Sequence, residues 1–119
     1  MNVLLVDDEA MVRKMLKLTL QRHGFEVFDA TDGASAIALS EKQPIDILVS
    51  DIVMKEMDGW TLAASLRQRF PDLPVLFMSG YPTDFEYGQR MNARWAFLPK
   101  PFQPGELVEA ISNLVQVWI

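Results

Sequence analysis

The chain has 119 residues, 16 acidic against 11 basic side chains for a net charge of −5, no cysteine, and a composition that is 50% hydrophobic. That length predicts one domain over residues 1–119 with a single core. The acidic balance argues against a general nucleic-acid binder, which would present a basic face. The lack of cysteine excludes disulfides and thiolate metal sites. No apolar run approaches the roughly 18 residues that span a membrane. No cationic leader or cleavage site precedes the strand that starts at Met1-Asn2-Val3, so a soluble cytoplasmic domain without membrane insertion is expected.

In chain order, "VLLVD" (3–7) reads as a short buried strand. "MVRKMLKLTLQRHG" follows as a helix that Gly24 can stop, with Val12, Met15, Leu16, Thr19 and Leu20 on one face. "FEVFDA" (25–30) is a strand, and the alanine-rich "GASAIALSEKQP" is a helix ended before Pro44. "IDILVSD" (45–51) is the second clearly buried strand. Asp58 can cap a third helix whose inner face is Leu62, Ala63, Leu66 and Phe70. "LPVLFMS" (73–79) is a strand, "TDFEYGQRMN" (83–92) a polar helix, and "RWAFLP" (94–99) the fifth strand. Residues 104–118 close with a helix that has Pro104 in its first turn and Leu107, Ile111, Leu114, Val115 and Trp118 inside. Strands alternating with helices, five of each, predict a parallel sheet covered on both faces.

Open parallel sheets bind ligands at the carboxyl ends of their strands. The first strand ends at Asp7-Asp8-Glu9, the third at Asp51, the fourth at Ser79-Gly80 and the fifth at Lys100. Asp7, Asp8 and Asp51 would repel one another unless a cation joins them. Hard oxygen ligands without His or Cys select Mg²⁺ or Mn²⁺ over zinc. Lys100 adds a compact positive charge and Ser79 a hydroxyl donor, both suited to a phosphoryl oxygen. A metal site and a lysine sharing one cleft suit phosphoryl transfer, in which positioning and charge neutralisation dominate. Asp51, alone at the end of a central strand, is the natural nucleophile.

With "LLVDDE", "VSDIVMKEMDG", "LFMSGY" and "FLPKPF" in this order, the chain resembles the receiver domain of two-component response regulators over essentially its whole length. The resemblance implies a flavodoxin-like doubly wound sheet of order 2-1-3-4-5 flanked by five helices. It implies that Asp51 is the phosphoacceptor, that Asp7 and Asp8 bind Mg²⁺, and that the Val53 backbone carbonyl is a further ligand. It places Ser79 and Lys100 against the phosphoryl group. Ser79 and Phe97 fall at the two switch positions, and the Lys100–Pro101 bond at a place commonly cis. Val53 and Tyr81 occupy positions that tune hydrolysis; an apolar and a bulky side chain there imply slow dephosphorylation. The implied partner is a histidine kinase or a histidine phosphotransfer protein. Phosphorylation would shift the face of the fourth helix, fifth strand and fifth helix, which could also form a homodimer. "LFMSGYP" and "FLPKPF" further resemble receivers attached to hybrid sensor kinases, so the domain is expected either to stand alone or to be part of a longer regulator or kinase.

Each feature alone has an ordinary explanation. A single Asp after a strand is most often a turn or cap residue. Asp7-Asp8-Glu9 would favour a helix N-terminus, Met54 and Met57 read as packing, and Phe97 as core. His23, the one histidine, reads as a residue at a helix C-terminus near the last carbonyls. The matched strand ends outweigh these separate readings. Two enzyme or carrier alternatives fit less well. An aspartyl phosphatase of this fold usually carries Asp-x-Asp and a cap insertion, and a flavodoxin-like carrier needs a phosphate-cradling loop where this chain is acidic. No "GxxxxGK" is present. Lys55 departs from the family pattern, which often has proline there. The loop gains a donor and loses a fixed φ, so loop geometry or phosphate lifetime is expected to change rather than the chemistry.

Overall fold

Short apolar runs become the strands of one parallel sheet. A computed structural model describes residues 1–80 and 95–117. Over them β1 (Asn2–Val6), β2 (Glu26–Ala30), β3 (Ile47–Asp51), β4 (Val75–Ser79) and β5 (Trp95–Pro99) alternate with α1 (Ala10–Arg22), α2 (Gly33–Lys42), α3 (Gly59–Arg69) and α4 (Pro104–Val117). The sheet order is β2-β1-β3-β4-β5 and every pairing is parallel, the expected flavodoxin-like topology. Among the described residues there are four helices. The helix predicted over 83–92 lies outside them, as do Tyr81 and Trp118, so α4 corresponds to the helix predicted fifth.

Side chains alternate across a strand, and the sheet therefore feeds two cores. Val3, Leu5, Val49, Leu76 and Met78 pack with Leu16 and Leu20 of α1 and with Leu107, Ile111 and Leu114 of α4. Leu4, Val6, Leu48, Val75 and Phe77 pack with Ala36 of α2 and Leu62, Ala63 and Leu66 of α3. β3 and β4 are buried at every position, as central strands covered on both faces must be. Each fully buried leucine contributes about 1.5–3 kcal/mol. One expected inner residue is outside: Met15 is 51% exposed. Leu16 and Leu20, four apart, set the buried face of α1, and Met15 lies about 100° around the helix from Leu16.

The caps follow the sequence signals. Asp32 accepts from Ser35 N at 2.8 Å and Asp58 from Thr61 N at 2.8 Å, filling donors that a helix start leaves open. His23 sits just past α1 with Nδ1 at 2.9 Å from the Thr19 carbonyl oxygen. Strand register places the functional ends side by side. Val6 pairs with Ser50, Asp51 with Met78, and Ser79 with Pro99. The residues at or just beyond these pairs all leave the sheet at one edge.

Candidate functional site

Asp7 leaves the end of β1, where its N–H still bonds the Ala30 carbonyl at 3.3 Å. Its carboxylate is fully buried. Oδ1 accepts from Glu9 N at 2.9 Å, but buried Oδ2 has no hydrogen-bond partner. The ammonium of Lys100 is 3.9 Å from that oxygen. Asp51 is the last residue of β3, and its Oδ2 accepts from Lys100 Nζ at 3.1 Å. Lys100 follows β5; its backbone N–H donates to the Ser79 carbonyl at 2.7 Å, and the Lys100–Pro101 bond is cis. Asp8, Glu9, Asp51, Val53, Ser79, Gly80 and Lys100 line an open cleft of about 520 Å³. The structure thus brings together Asp7, Asp8, Asp51, Ser79 and Lys100, the residues singled out from strand ends. Val53 is on the rim and 59% exposed, whereas Tyr81 lies outside the described residues.

The electrostatics of the cleft are those of crowded acids. Burial pushes the Asp7 carboxyl above its ordinary value of 3.8; the Glu9 N–H and Lys100 oppose this, and Asp51 adds to it. Burial likewise raises Asp51, with Lys100 opposing and the charge of Asp8 assisting. Carboxylate oxygens of Asp7, Asp8 and Asp51 lie within 4.8 Å of one another, close to the roughly 4 Å that opposite ligands of one Mg²⁺ span. The buried Asp7 Oδ2, which lacks a hydrogen-bond partner, and the all-oxygen donor set fit a hard divalent cation.

Other residues set this geometry and were not evident from spacing. Arg13 of α1 donates from Nη1 to the Asp7 carbonyl at 2.8 Å and from Nε to Asp29 Oδ2 at 3.1 Å. Lys17 holds the other Asp29 oxygen at 2.8 Å. In the sequence both basic residues read only as the polar face of a helix. Ser50, beneath Asp51, donates to the Asp51 carbonyl at 2.8 Å. Gly59 brings α3 against the loop: its N–H donates to the Ile52 carbonyl at 2.8 Å, and a β-carbon there would be 2.5 Å from the Asp51 carbonyl oxygen. Lys55 is exposed, and among the described residues its side chain makes no ion pair.

Phe97 packs in an aromatic group. Its ring stacks on Phe77 at 5.5 Å and approaches Trp60 at 5.9 Å, while Trp60 meets Trp95 at 5.4 Å. The residue expected as a switch is half-buried beside the α3 side of the sheet.

This arrangement has relatives. The family model of the response regulator receiver domain matches residues 3–112. The chain belongs to that family. This receiver domain is 40% identical over 118 residues to "Sensor kinase CckA" of Brucella abortus (strain 2308), covering 97% of the chain and 12% of that kinase. It is 35% identical over 118 residues to "Probable transcriptional regulator ycf29" of Porphyra purpurea, covering 96% of the chain and 56% of that protein. Among solved structures, the Vibrio cholerae chemotaxis protein CheY4 superposes with a TM-score of 0.87 at 32% identity, covering 95% of this receiver domain and 97% of that chain. The receiver domain therefore spans only part of the two longer relatives. Among the described residues, no helix is long and apolar enough to cross a membrane.

Proposed function

We propose that residues 1–119 form one receiver module that works as a phosphoacceptor switch in the cytoplasm, with Asp51 as the acceptor. The observation that carries this is Lys100 Nζ at 3.1 Å from the Asp51 carboxylate at the mouth of the three-carboxylate cluster. An Asp51 oxygen attacks phosphorus, the bond from phosphorus to a donor imidazole nitrogen breaks, and the imidazole leaves with its electron pair. Asp51 is left as an acyl phosphate. Lys100 can move from the carboxylate to a phosphoryl oxygen without leaving the cleft, and Ser79 can donate to another. Asp7, Asp8, Asp51 and the Val53 carbonyl would hold a Mg²⁺ or Mn²⁺ ion, whose charge would offset the phosphoryl oxygens. Ser79 drawn toward the phosphoryl group and Phe97 moving inward would shift the population of two packings of the face that includes β5 and α4. That face could also pair two copies of the domain.

The donor is a histidine kinase or a histidine phosphotransfer protein. Met11, Met15 and Leu18 support a helical docking partner, because they form an exposed apolar row on α1 beside a groove lined by Val12, Leu16, Lys100, Pro101 and Phe102. The module passes on a signal and does not turn over substrate. The aspartyl phosphatase and the flavin carrier lose ground to it because the family match runs through all four sequence signatures. In the test, Asp51→Asn abolishes Mg²⁺-dependent labelling by acetyl phosphate; undiminished labelling of that variant would overturn the assignment. Val53 and Tyr81 are proposed to slow loss of the phosphoryl group. A half-life of seconds at neutral pH would contradict that role.

A further inference from the structure

The loop between β3 and α3 carries backbone strain on its outer bend. Glu56 adopts φ +67°, a value uncommon for a residue with a β-carbon. Around it, the Met57 N–H donates to the Lys55 carbonyl at 2.7 Å. A three-residue turn with positive φ at its centre is the rare, strained kind. Lys55 contributes no fixed φ, as a proline would. Such a turn persists only where its surroundings over-determine it.

Two flanks do so. On the α3 side, Asp58 caps the helix at Thr61 N and Gly59 bonds the Ile52 carbonyl. On the α2 side, Met57 lies over Gly33, the first residue of that helix. A β-carbon at position 33 would sit 2.5 Å from Met57 Sδ, 3.0 Å from Cγ and 3.1 Å from Cβ. A β-carbon there would drive the Met57 side chain out of the notch and leave its Cβ to give by a few tenths of an ångström.

We propose that Gly33 is a positioning residue for the acceptor loop. Its bare Cα forms the notch that seats Met57, and the seated Met57 holds the strained turn that sets the path of residues 52–58 past the cleft. The inference rests on the phosphoacceptor reading of Asp51 and adds to it a mechanical tie between the start of α2 and the acceptor loop. The sequence gives no hint of the pairing, because Gly33 reads as a helix start and Met57 as generic packing.

The test compares wild type, Gly33→Ala, Met57→Ala and the double variant. Amide hydrogen exchange is read on metal-free protein, and Mg²⁺ alone is titrated by calorimetry. Gly33→Ala is expected to speed exchange at the Gly59 N–H about tenfold, the scale of an overpacked contact. Exchange at Val49 in buried β3 stays unchanged, which separates loop loosening from global destabilisation. Mg²⁺ affinity falls several-fold in the same variant. The double variant is no looser than Met57→Ala alone, because with the side chain beyond Cβ removed Gly33→Ala has no seated group left to displace. Unchanged Gly59 exchange in Gly33→Ala, or strictly additive effects in the double variant, overturns the inference. Should Gly33→Ala not fold, Met57→Ala alone decides: it vacates the notch without a clash, so exchange at Gly59 must rise, and no rise overturns the proposal. A wild-type protein that acetyl phosphate does not label overturns the phosphoacceptor reading instead, and the metal-free exchange comparison then decides on the notch by itself.

Discussion

Asp51 and Lys100 illustrate how much a residue's place at a strand end can say. An acid that closes a wholly buried strand is costly to hold there without a partner, so its presence predicts a cation or a ligand nearby. The structure places Lys100 Nζ at 3.1 Å and two more carboxylates alongside. Asp7, Asp8, Ser79 and Lys100 were legible for the same reason, because each ends or follows an apolar run. Arg13 was not, since a basic residue on a helix's polar face is the commonest pattern there is. Its guanidinium nonetheless ties the Asp7 carbonyl to Asp29 across β1 and β2. Groups that orient a metal-binding residue from behind typically matter about tenfold or more in affinity. Arg13→Ala is therefore expected to weaken Mg²⁺ binding about tenfold, while labelling at saturating Mg²⁺ changes little. Isothermal titration with Mg²⁺ checks this; an unchanged Kd would mean that Asp7 is held by its Glu9 N–H bond alone.

At the level of elements, hydrophobic period and punctuation located every described strand and helix to within a few residues. Pro44, Asp58 and Pro104 each mark a boundary by a backbone rule that needs no tertiary information. What the period could not resolve was the rim of α1's buried stripe. Met15 satisfies an inward spacing but lies outside, because α1 touches the sheet along Leu16 and Leu20 and Met15 is about 100° around the helix from Leu16. Its exposure, together with Met11 at 87% and Leu18 at 46%, creates an apolar row that a free surface has no reason to keep. If that row receives the donor helix, Met15→Glu should slow phosphotransfer from a cognate kinase about tenfold, the cost of a central interface residue. Labelling by acetyl phosphate, which needs no docking, should stay at the wild-type rate. Equal slowing in both assays would place Met15's effect in the cleft rather than at an interface.

On the scale of the whole molecule, the cleft and the α1–β2 ion pairs respond to acid in opposite ways. Asp7 and Asp51 are raised above 3.8 chiefly by burial. The folded state therefore binds their protons more tightly than the unfolded chain, and their stabilising contribution is fully present below about pH 3.8 and lost as pH rises through the raised folded values. For Asp29, burial alone would raise the carboxyl, but bonds from Lys17 and Arg13 outweigh it and hold it below 3.8. Its contribution is present above the ordinary value and is lost only as pH falls through the depressed one. Metal-free protein should therefore gain stability from the cleft as pH drops from neutral toward 4, before Asp29 begins to be lost. A divalent cation held there would reverse the cleft's preference, because it would bind the deprotonated acids. At a hundred times its Kd, Mg²⁺ should add about 2.7 kcal/mol at neutral pH, an increment that shrinks as acid protonates Asp7 and Asp51. Thermal melts from pH 7 to 4, with and without Mg²⁺, are expected to show two curves that converge in acid. In Asp7→Asn the metal-free curve should flatten and the Mg²⁺ increment should fall sharply. A Mg²⁺ increment that is independent of pH, or undiminished in Asp7→Asn, would place the bound ion away from the buried carboxylates and leave the missing hydrogen bond at Asp7 Oδ2 without its physical explanation.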